Sequence, residues 1–238
     1  MRKAIISDIH ANLEALKTAL DWIKNEGIEQ IICLGDIVGY GANPNECVDL
    51  IREYCTVVVK GNHDSATTDG EDLYNFNPYA KKAVLWTKEQ LSKRNYEYLY
   101  YLPLKVEIGD YTFVHSTPKK PERWNYIITE YDATLSFANF EGQACLVGHS
   151  HLPGCYGTDE SFILEQEFVL TEGVKYIINV GSVGQPRDGD PRLCFGVLDE
   201  EKRDFAWIRL EYDKEKTGQR IIESGLPPYL ADRLKVGR

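Results

Sequence analysis

Three short apolar runs near the N-terminus alternate with segments of helical spacing, and this alternation constrains the fold most strongly. Residues 3–8 (KAIISD), 29–36 (EQIICLGD) and 56–64 (TVVVKGNHD) are typical of buried strands and their exits. Residues 12–27 place leucine and isoleucine on one helical face, and residues 43–54 begin with an N-cap and a proline. A strand–helix–strand–helix–strand order predicts parallel strands joined by crossover helices.

The remainder of the chain predicts more strands and helices. Residues 66–102 read as an insert of one or two helices that is rich in tyrosine, and further helices are expected at 130–139 and 213–224, with a short tail closing the chain. Gly109-Asp110 between two apolar runs indicates a β-hairpin. We expect one domain over the whole chain (1–238), with two packed β-layers and helices outside. Further strands are expected in QACLVGHS, CYGT, FILEQEF, KYIINVGS, LCFGVLD and FAWIRLEY.

Composition argues against several classes of protein. The 238 residues include 37 acidic and 27 basic side chains, a net charge of −10 without a basic stripe, so we expect no extended nucleic acid as a partner. No run of 18 apolar residues predicts a membrane span, and the N-terminus lacks the apolar core of a signal peptide. Six scattered cysteines, mostly in apolar runs, indicate free buried thiols and a cytoplasmic location. The sequence gives no basis for predicting an oligomeric state.

Polar side chains follow five of the predicted strands at the point where each strand ends. Sites in α/β proteins are built at the carboxyl ends of strands, so we expect these side chains to converge on one edge. All five histidines of the chain belong to this set. The set comprises Asp8, His10, Asp36, Asn62, His63, Asp64, His115, His149 and His151.

The spacing and chemistry of this set predict a metal centre. Asp8 and His10 are two residues apart, as are His149 and His151, and in an extended segment such pairs share one face. Imidazole and carboxylate without thiolate suit Mn, Fe, Co, Ni or Zn. The candidates outnumber the ligands of one tetrahedral zinc, which favours two ions about 3.5–4 Å apart that share a carboxylate.

Five motifs together resemble the calcineurin-like metallophosphoesterases. DIH, GDIVGYG, KGNHD, the histidine at 115 and GHSH occur in the order of that family, and residues 179–192 (NVGSVGQPRDGDPR) resemble a segment of its small bacterial and archaeal phosphodiesterase-like branch. The resemblance implies an α/β fold, a four-layer αββα sandwich of two mainly mixed sheets flanked by helices. It also implies a dinuclear metal site and hydrolysis of phosphate esters.

The resemblance also implies a role for each motif residue. A hydroxide that bridges two divalent ions, with manganese favoured, would attack the phosphorus. The two ions, the carboxylates of Asp8 and Asp36 and the hydroxide would together leave a net charge of about +1, which would attract the ester. His63 would protonate the leaving group or stabilise the transition state, and Asp64 would orient its ring. The metal ligands would be Asp8, His10 and His151 for the first ion, Asn62, His115 and His149 for the second, and Asp36 as the bridge.

Three further features have two interpretations each. Asn12 fits a substrate contact near the metal-binding turn or an N-cap, and Arg187 fits a phosphate ligand or an ion pair with Asp188 or Asp190. The aromatic residues of the insert fit a lid over the metals or, as we favour, amphipathic helices packed on the sheet with their hydroxyls in water. They are Tyr74, Phe76, Tyr79, Trp86, Tyr96, Tyr98, Tyr100 and Tyr101.

The predicted activity is hydrolysis of small phosphodiesters or nucleotide-type esters. A serine/threonine-type protein phosphatase or a general phosphomonoesterase is the alternative, because these enzymes share the metal core. The protein phosphatases carry an arginine in G-D-x-V-D-R-G and the motif GNHE, whereas this chain has GDIVGYG and GNHD. A non-catalytic scaffold is disfavoured because every motif residue is present.

Overall fold

The computed structural model describes residues 1–70 and 73–238, in which twelve strands form two six-stranded sheets. The strand order is β3-β2-β1-β11-β12-β9 in the first sheet and β4-β5-β6-β10-β7-β8 in the second. The strands are β1 (Arg2–Ile6), β2 (Gln30–Cys33), β3 (Val57–Val58), β4 (Lys105–Ile108), β5 (Tyr111–Val114), β6 (Ala144–Val147), β7 (Gly154–Gly157), β8 (Phe162–Ile163), β9 (Glu167–Val169), β10 (Tyr176–Asn179), β11 (Leu193–Asp199) and β12 (Asp204–Leu210).

Both sheets are mixed. In the first sheet β1, β2 and β3 run parallel, whereas β11, β12 and β9 pair antiparallel. In the second sheet β5, β6 and β10 run parallel, and β4, β7 and β8 pair antiparallel. The α-helices of the described residues are α1 (Leu13–Asn25), α2 (Pro44–Tyr54), α3 (Asn62–Thr68), α4 (Pro78–Gln90), α5 (Lys93–Tyr100), α6 (Glu130–Phe137), α7 (Lys214–Glu223) and α8 (Tyr229–Asp232).

The two sheets pack face to face with helices on their outer sides. Ile5 of β1 lies in an apolar cluster with Phe113 of β5 and Leu146 of β6, so this cluster fills the space between the sheets. Its neighbours Ala4 and Ile6 point the other way and pack with α1 and α2. On the far side of the second sheet, α6 packs on β5, β6 and β10. This arrangement confirms the predicted αββα sandwich.

Three parts of the chain differ from the sequence-based expectation. Residues 62–64, predicted to form a loop after β3, are helical and form the start of α3. The run FILEQEF was expected to form one strand, but it crosses between sheets: β8 pairs with β7, and β9 pairs with β12. The short C-terminal tail, for which no element was predicted, contains α8 and a 3₁₀-helix (Arg233–Lys235), which pack through Leu230 and Leu234 onto α7 and α4.

Two predictions from composition can be compared with the fold. Among the described helices, none combines the length and the apolar content that a bilayer crossing requires. All six cysteines are free thiols, and five of them are buried.

Candidate metal centre

The predicted site residues converge where parallel strands of both sheets end. Asp8 and His10 follow β1, Asp36 follows β2, and Asn62 opens α3 just after β3. In the second sheet, His115 follows β5, while His149 and His151 follow β6. Each of these side chains is buried except Asn62, which is partly exposed in a cleft.

The backbone at this edge corrects the geometric reason for the paired spacing. We expected Asp8 and His10 to share one face of an extended segment, but their φ angles are 54° and 49°. His149 and His151 have φ angles of 67° and 61°, so both pairs lie in left-handed turns. Such conformations cost free energy in non-glycine residues and concentrate at functional sites. Backbone hydrogen bonds such as Asp8 N–H to the Gly35 carbonyl (3.0 Å) hold the first turn in place.

The first group of candidate ligands combines Asp8, His10 and His151. The Nε2 atoms of His10 and His151 lie 3.2 Å apart, and His151 Nε2 lies 3.1 Å from Asp8 Oδ1. The other oxygen of Asp8 accepts a hydrogen bond from the His149 backbone N–H at 3.0 Å. Asp8 therefore turns one oxygen toward the cluster and uses the other to position the second motif.

The second group combines Asn62, His115 and His149. His115 Nε2 lies 3.1 Å from His149 Nδ1 and 3.2 Å from Asn62 Oδ1. Asp36 lies between the two groups, because its Oδ2 atom is 3.6 Å from His10 Nε2 and 3.4 Å from His115 Nε2. The seven side chains are therefore brought together as the sequence predicted.

The histidine tautomers show that these residues fit divalent cations. In each ring one nitrogen faces a backbone carbonyl: His10 to Val38 (3.2 Å), His115 to Leu34 (2.8 Å), His151 to Gln185 (2.5 Å) and His149 to Trp124 (2.8 Å). A carbonyl only accepts hydrogen bonds, so those nitrogens carry a proton, and in the neutral ring the opposite nitrogen presents a lone pair to the centre.

Facing lone pairs need a cation between them. Ligand atoms bound at about 2.1 Å to one ion in tetrahedral or octahedral geometry lie roughly 3.0–3.4 Å from one another. The separations of 3.2 Å between His10 and His151 and 3.1 Å between His115 and His149 match this range. Buried His/Asp triads occur here at Asp8–His10–His151, at Asp36–His115–His149 and at His10–Asp36–His63.

The charges and burial of the protein's own groups favour ionised carboxylates, neutral imidazoles at His10 and His149, and a protonated imidazole at His115. Burial lowers the pKa of His149 to about 3 and holds that of His10 well below its usual value. Burial would raise the pKa of Asp36, but the positive field of His115 and His63 holds it well below its usual range. Conversely, Asp36 raises the pKa of His115 to about 9 in spite of burial. The carboxylates thus create a field that attracts positive charge.

Two motif glycines are required by close approach to the carboxylates. A Cβ at Gly61 would lie 2.1 Å from Asp36 Oδ1, and a Cβ at Gly148 would lie 2.4 Å from Asp8 Oδ2. Any side chain at either position would displace a candidate ligand. The glycines of GNHD and GHSH therefore make room for carboxylates from other strands.

His63 lies at the centre, but Asp64 does not orient it. The His63 ring packs against the rings of His10 (4.8 Å between centroids), Tyr40 (4.5 Å) and Phe76 (5.0 Å). Its buried Nδ1 atom has no hydrogen-bond partner within the described residues, and burial lowers its pKa to about 4.

The Asp64 carboxylate binds backbone instead of the His63 ring. Its oxygens accept hydrogen bonds from the N–H groups of Ile37 (2.9 Å), Val38 (3.2 Å) and Gly61 (3.0 Å). The prediction that Asp64 orients the His63 ring is therefore wrong. Asp64 instead joins the start of α3 to the loop that carries Asp36, because a carboxylate at this helix position satisfies otherwise unpaired N–H groups.

The structure places the two residues proposed as substrate contacts, Asn12 and Arg187, in different surroundings. Asn12 caps α1 through Ala15 N–H (3.2 Å), donates to the Gly184 carbonyl (2.9 Å) and accepts from the Thr217 hydroxyl (3.0 Å). With its amide satisfied and 2% exposed, Asn12 makes the contacts that the N-cap interpretation predicted, and a substrate contact by Asn12 stays a prediction. Arg187, by contrast, lines a cleft beside the metal centre.

Arg187 does not pair with its acidic neighbours. Asp188 forms an ion pair with Arg209, and Asp190 is bound by Arg192. Arg187 instead donates to Gln185 Oε1 (2.8 Å) and to the Tyr40 hydroxyl (3.4 Å). The interpretation of Arg187 as a partner of Asp188 or Asp190 is therefore wrong.

The cleft over the centre has a volume of about 360 Å³ and includes residues that the sequence analysis missed. Asn62, His63 and His149 line the cleft, and of the other lining residues the sequence analysis had marked only Phe76 and Arg187. Tyr126 stacks on His149 with centroids 4.0 Å apart, and the buried Trp124 indole N–H has no partner within the described residues. The walls comprise Tyr40, Phe76, Asn77, Ala80, Arg123, Trp124, Tyr126, Arg187 and Arg233.

The helices of the aromatic insert pack on α2 and α3, five of its eight aromatic side chains are exposed, and one of its rings reaches the site. Tyr96 bonds the Thr68 carbonyl, Arg52 lies over the Tyr98 ring, and Trp86 packs beside α7 and α8. Phe76 lines the cleft and contacts His63. The insert therefore provides a wall of the cleft from the segment before α4.

Comparison with known proteins agrees with this geometry. Residues 1–203 match the calcineurin-like phosphoesterase superfamily domain. The chain is 44% identical to the protein MJ0912 of Methanocaldococcus jannaschii, over 99% of this chain and 98% of that one. A metallophosphoesterase from Sphaerobacter thermophilus is 40% identical with a TM-score of 0.90, covering 100% of this chain and 99% of that chain. The hypothetical protein PH1004 from Pyrococcus horikoshii OT3 shares the fold, with 22% identity, a TM-score of 0.81 and coverage of 100% and 98%.

Proposed function

We propose that this chain, which belongs to the calcineurin-like phosphoesterase superfamily, hydrolyses phosphodiesters or nucleotide-type phosphate esters at a centre holding two divalent metal ions. The position of Asp36 carries the proposal, since its Oδ2 atom lies 3.6 Å from His10 Nε2 and 3.4 Å from His115 Nε2. A carboxylate shared by two ligand groups suits a pair of ions roughly 3.5–4 Å apart. Family membership supports a metal-dependent phosphate ester hydrolase.

The ligand sets follow from the two groups of side chains. Asp8, His10 and His151 would hold one ion, Asn62, His115 and His149 the other, and Asp36 both. Divalent ions bound there would supply a strong oxygen nucleophile at neutral pH and positive charge for the phosphoryl oxygens. Manganese is the ion we propose first among Mn, Fe, Ni, Co and Zn, for a ligand set without thiolate.

The chain's own cleft residues would position the ester and its leaving group. His63 stands beside Asn62 in the cleft, and we propose that it donates a proton or hydrogen bond to the leaving oxygen. Arg187 offers a planar fork of N–H donors that can hold the substrate through phosphate oxygens. Asp64 supports both the metal centre and His63 by holding the start of α3 against residues 37 and 38.

The size and walls of the cleft support a small substrate. A volume of about 360 Å³ suits a single small ester. Phe76, Trp124 and Tyr126 offer aromatic surface for an aryl group or a base. We propose a small phosphorylated substrate rather than extended nucleic acid, and a cytoplasmic location that matches six free cysteines.

A substrate panel tests the proposal. Protein purified without chelator is supplied with Mn²⁺ and offered mononucleotides, dinucleoside polyphosphates, cyclic nucleotides, bis-aryl phosphates and phosphopeptides. We expect turnover of a diester or nucleotide-type ester that is lost with chelator and in Asp36→Ala. Turnover of phosphopeptides alone, or activity that survives complete metal removal, would overturn the proposal.

A further inference from the structure

Two arginines, Arg187 and Arg233, meet at one aromatic ring beside the metal centre. The Tyr40 ring is buried against His10, at 4.6 Å between centroids, and against His63. The guanidinium groups of Arg187 and Arg233 lie 5.9 Å and 5.7 Å from the Tyr40 ring centroid. All three residues line the same cleft, so two positive charges stand one ring away from the candidate ligands.

The tail holds Arg233 in this position. Leu230, Ala231 and Leu234 share an apolar cluster with Tyr40 and with Ala80 of α4. The Gly189 N–H donates to the Gly237 carbonyl at 3.0 Å, which joins the end of the tail to the loop that follows Arg187. Arg233 lies beyond residue 203, where the match to the superfamily domain ends.

Neither guanidinium is neutralised by a side-chain carboxylate within residues 1–70 and 73–238. Arg187 donates to Gln185 and Tyr40, whereas Arg233 Nε donates to the main-chain oxygen of Arg238. The nearby carboxylates of Asp188 and Asp190 are already engaged by Arg209 and Arg192. The two guanidinium groups repel each other. Burial and, after it, this repulsion lower the pKa of Arg233.

Like charges held together without an aspartate or glutamate partner indicate a site for an anion. Partly buried guanidinium groups are stable when a carboxylate or phosphate takes their N–H donors. The phosphoryl group that reacts would already face the cations of the metal centre. A singly charged diester facing the metal centre would therefore bring no further negative charge to pair with the two guanidinium groups.

We infer that Arg187 and Arg233 bind a second phosphate group of the substrate, so that the preferred ester carries a phosphate besides the one that is hydrolysed. This inference rests on the proposed function and names its substrate class. The tail helices would then determine specificity from outside the matched domain. Arg233 is the residue to mutate, because it is farther in sequence from every candidate ligand than Arg187 is.

Calorimetric titration tests the inference with probes that are not hydrolysed. Methylenediphosphonate carries two phosphonate groups and methylphosphonate carries one. Each is titrated into metal-loaded wild type, Arg233→Met and Lys235→Met. Lys235 is the matched control, since it is a cation in the same 3₁₀-helix that does not line the cleft and pairs with Glu215. Elemental analysis of each protein after the titration shows whether the probe has removed metal.

We expect Arg233→Met to weaken methylenediphosphonate binding about tenfold and to change methylphosphonate binding less than about twofold, with Lys235→Met like wild type. Equal affinity in wild type and Arg233→Met, or an equal loss in Lys235→Met, would overturn the inference. Thermal unfolding checks the fold, and Arg233→Lys, which keeps the charge but loses the fork, decides the question if Arg233→Met unfolds. If the protein hydrolyses diesters but Arg233 does not favour methylenediphosphonate, only the second phosphate site is refuted. If Arg233 favours methylenediphosphonate but no ester is hydrolysed, the proposed function is refuted.

Discussion

The backbone N–H of His63 donates a hydrogen bond of 2.8 Å to Asp36 Oδ1. The same carboxylate turns Oδ2 toward His10 and His115. One residue therefore sets the position of the candidate metals and of the candidate proton donor. Because the bond comes from the main chain of His63, it survives when the His63 side chain is replaced.

Replacing His63 should separate chemistry from metal binding. His63→Ala keeps the N–H that holds Asp36, so we expect metal content unchanged and turnover of a bis-aryl phosphate reduced about 10²–10⁴-fold. Elemental analysis and steady-state kinetics on the same preparation measure both quantities. Loss of metal from His63→Ala would instead identify His63 as a ligand.

Metal removal should lower thermal stability. Facing imidazole nitrogens at 3.1–3.2 Å are stabilised by a cation, and an ion at a hundred times its Kd adds about 2.7 kcal/mol to the free energy of unfolding. For a chain of this size we expect chelator to lower the Tm by roughly 5–10 °C, and excess Mn²⁺ to restore it. Asp36→Ala is the control, because its Tm should not respond to Mn²⁺. A metal response retained in Asp36→Ala would contradict the shared carboxylate.

A single methyl group at Gly61 should disturb the centre. Its Cβ would lie 2.1 Å from Asp36 Oδ1, so Gly61→Ala must displace that carboxylate. We expect a loss of about 1–3 kcal/mol in unfolding free energy and weaker metal binding, measured by urea denaturation and metal titration. The matched variant is Gly218→Ala in α7, where the added Cβ meets only Ala231 Cβ at 3.4 Å. That variant should be neutral or slightly stabilising, because alanine favours a helix more than glycine does.

Asp64 should act through structure. Asp64→Asn leaves one acceptor oxygen for three backbone N–H donors and turns an NH₂ group toward them, so we expect a loss of about 1–3 kcal/mol by urea denaturation. Asp132 gives a comparison at the same position of an exposed helix start, where it accepts from Ile128 and Thr129. Asp132→Asn should cost less than about 1 kcal/mol. Equal losses would show that burial of Asp64 is unimportant.

Phe76 should contribute to binding of aryl esters. Phe76→Leu keeps apolar packing but removes the ring that contacts His63, and an aromatic contact contributes about 0.5–1.5 kcal/mol. We therefore expect KM for a bis-aryl phosphate to rise about two- to tenfold, with a smaller change for an alkyl ester. Tyr101→Leu, in the same insert but 79% exposed and outside the cleft, should leave KM unchanged. An unchanged KM in Phe76→Leu would exclude a role of the Phe76 ring in binding.

The order of the elements and the convergence of the candidate ligands could be predicted from the sequence. Short apolar runs and helical stripes are local signals, and they place β1, α1, β2 and α2 nearly at their observed bounds. Parallel strands bring their carboxyl ends to one edge, so Asp8, Asp36 and the histidines could be assigned to one centre before any distance was known.

Tertiary structure decided the rest, because it depends on contacts between residues distant in the chain. The left-handed turns at Asp8 and His149 are held by bonds to other loops, and FILEQEF divides because each half finds a different sheet edge. Asp64 and Asn12 carry the same polar atoms in either role, and only their neighbours show that both bind protein. Arg233 reaches Tyr40 across 193 positions of sequence, a closeness that packing of the tail creates and no local pattern records.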